Sequence, residues 1–585
     1  MKIHRSALRL LGLSLLLDSA VLGGAPTLAA SSRFEQSARQ VECFDFVEVT
    51  LELDGTIAGN PFTDASFTGE FGPVGATPLQ VEGFCDEPGG RRFRIRFMPA
   101  TPGPHAYALN FRQGGIEAKH QGTFTASAGK RPGPVRVDPE HPFHFIRQGT
   151  DRHWFWNGTT TYQLLAWDDE TIAHSVNRLA NLGVNRLRVA IAGRTKDGKR
   201  WNEPLVVPTS KFAFKMEPWV AARPENLEDP GYDVTRFNVS FFQKAERMLR
   251  LARERDVIIS VIFYVDGADK GVDPFGKERM GEADEQRYYR YVAARLSAFA
   301  NIMWDVSNEY HLFRDEAWVN RMGTFLKEHD PYHHLASVHG SGRFPFRTAP
   351  WADFAMFQSW DEHGGYNFMI NNRSEQAAAN RPMPQINEEY GYEDHYPYPW
   401  GQARLWPSRT ADNRRRLAWE MTMAGGYQTT GERANEGTGA GLDTGGCWVN
   451  GRGDNHMTML IGYGHLRRFF EGFDWWKLDP HTDLLSLPPE IKRAPSDKKP
   501  DAASPVPVLH AMPVCLGDPG QRYVIYLPQG GAVTVKLAAG TFQTRWYNPR
   551  IGKFSKPTLK VPGGEWITPP APDAEDWVLL IETKE

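Results

Sequence analysis

Between residues 140 and 486, short apolar runs alternate with amphipathic stretches of helical period, and few architectures accommodate that order. Apolar runs too short for helices read as buried strands, and a helix between two of them is the crossover that parallel pairing requires. The strand candidates begin with Trp154-Phe155-Trp156, leading into Asn157-Gly158-Thr159, followed by Val184 to Ala190, Val257 to Phe263 and Ala300 to Val306. Leu335 to His339, Phe354 to Trp360, a stretch ending at Glu389 and one near Ala424 to Tyr427 complete the set. Val176, Leu179 and Leu182 mark one intervening helix face; Phe242, Ala245, Met248, Leu249 and Ala252 mark another. Eight such units over roughly 340 residues predict an α/β fold, a (β/α)8 TIM barrel with long loops. The Pro- and Trp-rich segment 192–235 is expected as an insertion at the barrel's active face.

Within this frame Val306-Ser307-Asn308-Glu309 falls at the carboxyl end of the fourth strand, where catalytic groups of such barrels are carried. A second acidic stretch, Gln385-Ile386-Asn387-Glu388-Glu389-Tyr390-Gly391-Tyr392-Glu393, ends a later strand. Two carboxylates on separate strand ends suit glycosidic hydrolysis, in which one acid protonates the leaving oxygen while another carboxylate attacks the sugar carbon or activates water. Either Glu alone could equally be a solvated or helix-capping residue; the two together, in this order, point to catalysis.

The flanks follow a different pattern. From 34 to 128, short alternating strands are separated by Asn60-Pro61, Glu87-Pro88-Gly89-Gly90 and Pro102-Gly103-Pro104, which predicts a β-sandwich. Leu487 to Pro505 reads as a linker, and 507–585 returns to strands such as Tyr523 to Leu527 and Trp577 to Ile581, predicting a small C-terminal antiparallel β-sandwich. The barrel is assigned to 140–486.

Residues 1–30 have the composition of a signal peptide: Lys2, Arg5 and Arg9 precede the apolar run Leu10 to Leu17, and Thr27-Leu28-Ala29-Ala30 supplies small residues for cleavage. Asp18 cuts that run too short for a membrane anchor, so the expectation is a secreted or periplasmic protein. A net charge of −3 and the lack of a basic stripe give no footing for nucleic acid. The four cysteines, Cys43, Cys85, Cys447 and Cys515, fit no zinc spacing, and whether Cys43 pairs with Cys85 is left open.

The motifs Val306-Ser307-Asn308-Glu309 and Ile386 to Gly391 resemble those of the fourth and seventh strands in clan A retaining glycoside hydrolases. Asn60-Pro61-Phe62, Val81-Glu82-Gly83-Phe84 and Arg96-Phe97-Met98-Pro99 resemble an immunoglobulin-like domain of unknown function that precedes such barrels. Trp546 to Gly552 resembles the collagen-binding-type domain of apiosidase-like hydrolases, a label that does not imply collagen binding here. The resemblance implies Glu309 as acid/base and Glu389 as nucleophile, with Glu388 and then Glu393 as competitors. Glu389 is preferred because Glu389-Tyr390-Gly391 fits the clan's Glu-aromatic-Gly pattern, and because strand neighbours face opposite ways.

The same resemblance implies Arg188 near the nucleophile, with a surface salt bridge as its alternative, and Asn308 on the sugar 2-hydroxyl. His339 and Trp360 are strand-end candidates for positioning and stacking, with ordinary core roles as the alternative; Asp266, Trp167, Tyr392, Trp400 and Trp448 are loop-borne candidates. A carboxyl separation of about 5 to 5.5 Å is expected for retention. The substrate implied is a plant or algal polysaccharide or oligosaccharide, and the mechanism needs no metal or organic cofactor. A carbohydrate-binding barrel without catalysis is the main alternative. A metal-dependent hydrolase or lyase, suggested by His333-His334 and His339, lacks a spaced acidic partner.

Overall fold

The structure is a computed structural model and describes residues 32–55, 59–150, 152–194, 210–213, 215–265, 270–359, 365–391, 410–431, 458–486, 512–556 and 559–583. The proposed leader and the linker at 487–505 lie outside these residues, as does Cys447.

Its centre is a parallel sheet of eight strands: β1 (Gly158–Thr160), β2 (Arg186–Ala190), β3 (Ile258–Ile262), β4 (Ile302–Asp305), β5 (Ala336–Ser337), β6 (Ala355–Gln358), β7 (Gln385–Glu389) and β8 (Tyr427–Thr430). Their spatial order is 5-4-3-2-1-8-7-6, so the sheet curls into a barrel whose seam lies between β5 and β6. Single bonds tie the seam, from Asp353 N to Ala336 O at 2.9 Å and from Ser337 Oγ to Phe354 O at 2.6 Å.

Among the described residues seven α-helices wrap the strands: α1 (Asp169–Asn181), α2 (Val239–Glu254), α3 (Ala283–Leu296), α4 (Glu316–His329), α5 (Gly365–Ala378), α6 (Ala411–Met423) and α7 (Thr458–Phe470). The β5–β6 connection, 338–354, contains no helix, which accounts for the open ladder there. Side-chain caps start α1 and α4, where Asp168 accepts from Thr171 N at 2.9 Å and Asp315 from Trp318 N at 2.7 Å.

The first strand differs from the sequence reading. Trp154, Phe155 and Trp156 form the buried lead-in, and pairing starts at Gly158, one step nearer the active face. Trp154 and Trp156, with Phe145, Phe354 and Tyr427, close the amino-terminal end of the barrel, while Phe155 packs against Phe470 and Trp475, so hydrophobicity there reflects a plug.

The amino-terminal region is a sandwich of a four-stranded and a five-stranded sheet. Its pairs are antiparallel except that Gln40–Glu42 runs parallel to Ile116–Ser127. Phe67, Phe71, Phe93, Ile95 and Phe111 fill the space between the sheets. Cys43 and Cys85 are both free and buried, and the Cys85 thiol bonds Glu87 O at 3.0 Å. At the carboxyl end an antiparallel sheet is built on the long strand Thr534–Asn548. This sheet also recruits Asp479–Pro480 and Leu485–Ser486, residues that the sequence reading gave to the barrel.

Candidate active site

Because all eight strands run parallel, their carboxyl ends open on one face, and polar side chains pointing into the barrel stack beneath it. Arg186 and Arg188 both lie on β2, two residues apart, so both project inward. Arg186 Nη1 donates to Glu388 Oε2 at 2.8 Å, its Nε donates to Ser260 Oγ at 2.8 Å, and its guanidinium lies 4.4 Å from the Trp156 ring centroid. Burial depresses its pKa to about 10, with Glu388 opposing the shift.

One layer higher, Arg188 donates from Nη1 to Tyr162 Oη at 2.9 Å, and from Nη2 to Asn308 Oδ1 at 2.9 Å and Asp305 Oδ2 at 3.2 Å. Burial pushes Asp305 up to about 6; the Arg188 charge opposes this and Glu388 adds to it.

Past β4 the chain leaves extended geometry, and Glu309 takes the left-handed conformation at φ 45° and ψ 45° before a short 3-10 turn, Tyr310–Leu312. Asn308 is oriented by the donors around its Oδ1. His339 Nδ1 lies 2.6 Å away and Tyr162 Oη 3.0 Å, besides Arg188. Burial, with the Arg188 charge adding, holds His339 far below its usual pKa; the ring is neutral and its Nδ1–H is the donor to that oxygen. With Oδ1 engaged, Asn308 turns Nδ2 toward Glu309 Oε2, 3.5 Å away.

The acidic end of β7 departs from simple alternation. Phe357 pairs with Asn387 but Gln358 pairs with Glu389, so Glu388 is the extra residue of a β-bulge. The premise that only one of the adjacent glutamates could face inward is thereby corrected. Glu388 meets Arg186 at full burial, while Glu389 reaches Tyr162 Oη at 3.3 Å through Oε2.

Gln358, at the end of β6, donates from Nε2 to Glu309 Oε1 at 3.0 Å and to Glu389 Oε1 at 3.1 Å. Two oxygens so close to one nitrogen lie within about 6 Å of each other, and about 5.3 Å apart for the 120° fork of an amide donor.

Of the residues singled out in the sequence, the structure therefore brings together Glu309, Glu389, Asn308, Arg188 and His339. Arg188 is fully buried, which rules out its reading as a surface ion pair. Trp167 is buried with its ring centroid 4.6 Å from that of Phe212, so it presents no open face to a sugar. Trp360, Asp266 and Tyr392 lie outside the described residues, as do Glu393, Trp400 and Trp448.

Sequence reasoning missed Tyr162, Gln358, Asp305 and Arg186. The two arginines at alternate positions of β2 were a usable signal, since buried cations demand buried acids. Gln358 carried none. Among the described residues no group of three or more His, Cys, Asp or Glu is arranged to hold a metal ion. His334 instead contacts Asp330 through Nδ1 at 3.0 Å.

Family models match three segments in order. Residues 40–112 match a domain of unknown function, DUF5060; 143–431 match "Apiosidase-like, catalytic domain"; and 515–582 match "Putative collagen-binding domain of a collagenase". Among solved structures, the chain is similar to a "putative glycoside hydrolase" from Bacteroides vulgatus, with 21% identity and a TM-score of 0.72 over 93% of this chain and 100% of that one. It is also similar to a glycoside hydrolase family 5 protein from the same organism, with 16% identity and a TM-score of 0.56 over 77% and 93% of the two chains. At these identities the likeness is one of fold. No curated protein sequence matches the chain.

Proposed function

The barrel of this chain is an apiosidase-like catalytic domain on a glycoside hydrolase fold, and on that premise we propose that the protein is an exported retaining glycosidase acting through Glu309 and Glu389. The observation that carries the reading is the shared Gln358 nitrogen. It keeps one oxygen of each carboxyl group within about 6 Å of the other, which supports the spacing of about 5 to 5.5 Å used for double displacement.

In the first step Glu389 attacks the anomeric carbon while Glu309 gives its proton to the leaving oxygen, producing a glycosyl ester on Glu389 and a free alcohol. In the second, Glu309 takes a proton from water, the hydroxide oxygen bonds to the anomeric carbon, and the Glu389 carboxylate departs. The Tyr162 hydroxyl, which accepts from Arg188, lies 3.0 Å from Asn308 Oδ1 and 3.3 Å from Glu389 Oε2, so its one hydrogen can serve either the Asn308 oxygen or the nucleophile. Asn308, with Oδ1 held by its donors, presents its amide nitrogen beside Glu309 Oε2, 3.5 Å away, where a sugar 2-hydroxyl would accept one of its hydrogens. Glu388 is set aside as nucleophile because it neutralises Arg186 below the site. The substrate class assigned is a plant or algal polysaccharide or oligosaccharide, met outside the cytoplasm.

The test is reducing-sugar release by the mature protein across a broad panel of such glycans, beside Glu309→Ala and Glu389→Ala. Release that falls by roughly a thousandfold in both variants supports the pair. Release that persists in Glu389→Ala would remove the assigned nucleophile, and polysaccharide binding with no release by the folded native protein would favour a binding role.

A further inference from the structure

We propose that Gln358 is a positioning residue of this site, holding Glu309 and Glu389 at working separation through the two hydrogens of a single amide nitrogen. The inference rests on the catalytic reading of those two glutamates and extends it to a side chain that has no acid–base chemistry of its own.

Three observations carry it. The contacts go to both carboxyl groups from one atom, at 3.0 and 3.1 Å, so the amide fixes their spacing. Gln358 stands opposite Glu389 at the β7 bulge, so the irregularity that turns Glu389 inward also brings it within reach of this amide. Glu389 is a carboxylate before reaction and Glu309 after it, and a carboxylate accepts and does not donate, so each in its turn requires nitrogen at that position, which fixes the amide orientation.

The chemistry gives the arrangement a use. Before reaction the charge lies on Glu389; once the glycosyl ester forms, it lies on Glu309. A hydrogen bond to an ionised acceptor is about twice as strong as one to a neutral acceptor. The forked donor therefore strengthens toward whichever carboxyl group is charged, without moving, in both steps. With Oε1 accepting from Gln358 at 3.0 Å and Asn308 Nδ2 farther from Oε2, at 3.5 Å, Oε2 is the less engaged oxygen and the one assigned the transferable proton.

Among the described residues, the charged or titratable groups around the pair are Tyr162 after β1, which touches Glu389, and, in the network beside it, Arg186 and Arg188 on β2, Asp305 on β4, Glu388 on β7, His339 after β5 and His311 in the turn after Glu309. All of them remain when Gln358 is replaced, so a substitution there isolates the amide.

The experiment is a 13C NMR titration of protein labelled at the glutamate carboxyl carbon, with Glu309→Gln and Glu389→Gln assigning the two resonances. In Gln358→Met, which keeps length and loses both donors, the two apparent pKa values of the coupled pair rise by roughly 1 unit. On a glycan that the native protein cleaves, kcat falls roughly 10- to 100-fold with KM little changed, and both limbs of the pH profile move upward. Gln358→Glu, the closest isostere, serves as the second variant; its added negative charge raises at least one of the two values further. Unmoved titrations in a variant that melts cooperatively would overturn the proposal, and if the Met variant does not fold, the Glu variant decides. Undiminished activity in Glu309→Gln and Glu389→Gln would instead overturn the catalytic reading, while the titration still reports whether Gln358 binds both groups.

Discussion

Glu309 holds a backbone conformation that costs an L-residue on the order of 1 kcal/mol, and the strain sits on the residue assigned to proton transfer. Glycine does not incur that cost. Glu309→Gly is therefore expected to be more stable than Glu309→Ala by about 1 kcal/mol in urea unfolding, with both inactive. Equal stability would remove the strain argument. The adjacent acids of β7 separate by the same kind of test. Glu388→Gln leaves Arg186 buried without its counter-charge and should cost about 3 kcal/mol or more, whereas Glu389→Gln should abolish turnover with the melting temperature nearly unchanged. At this scale the sequence was informative where a motif was local. Asn308-Glu309 and Glu389-Tyr390-Gly391 could be read as strings, but Tyr162 acts from the loop after β1 and Gln358 from β6, and nothing in their neighbours marks them. The bulge that turns both Glu388 and Glu389 inward is a pairing property of β6 with β7, invisible in either strand alone.

Elements set where those residues can stand. The turn that carries Glu309 is followed at once by α4, whose first amide hydrogen bonds depend on the Asp315 cap. Just before that cap Arg314 makes a bidentate pair with Asp273, at 2.7 and 2.8 Å, and also reaches Glu285 on α3 at 3.1 Å. The catalytic turn is thus clamped between α3 and α4. Asp315→Ala should cost about 1 kcal/mol, read as a lower melting midpoint, through the loss of the cap alone. Arg314→Met should cost more and also lower kcat, because it strands two buried acids and loosens the turn. Most strands and helices were legible, since buried parallel strands are nearly continuous apolar runs and their helices are amphipathic. The start of β1 was misplaced because the aromatic plug at the barrel's amino-terminal end has the same composition as a strand. The missing helix between β5 and β6 left no mark in the sequence other than a run without helical period.

Across the whole molecule, the amino-terminal sandwich is locked to the barrel by a buried charge cluster. Arg96 of the sandwich forks onto Glu246 of α2 at 2.9 and 2.8 Å, and Arg295 of α3 reaches Glu246 and the sandwich residue Asp86, each at 2.5 Å. Burial raises the Glu246 pKa, but the Arg96 and Arg295 charges overcome it and hold the carboxyl at about 2. The free acid in an unfolded chain titrates near 4.3, so the folded value is depressed. Its contribution is complete above about pH 4.3 and is lost as pH falls through about 2. Native protein should therefore lose stability more steeply than Glu246→Gln over that window, and parallel pH slopes would contradict the linkage. Replacing Glu246 by Ala at neutral pH should cost about 3 to 5 kcal/mol. The carboxyl-terminal sheet docks by a different device. Alternate residues of its strands face two ways, so Tyr523, Ile525 and Leu579 fill its own core while Tyr526 and Tyr547 meet Trp419 on α6 and Phe469 on α7. The three-part order was readable from the sequence, but the contacts that join the parts link residues far apart in the chain, and composition alone does not reveal them.

The claim on which the rest depends is that Glu389 becomes covalently bound to the sugar. It is tested most directly by incubating Glu309→Ala with an activated aryl glycoside of the sugar that the native protein releases, whose leaving group needs no acid, then quenching and mapping the mass increment by peptide fragmentation. The prediction is one glycosyl residue on Glu389 and none on Glu388. An increment on Glu388, or no increment together with a product of inverted anomeric configuration from the native enzyme, would contradict the account.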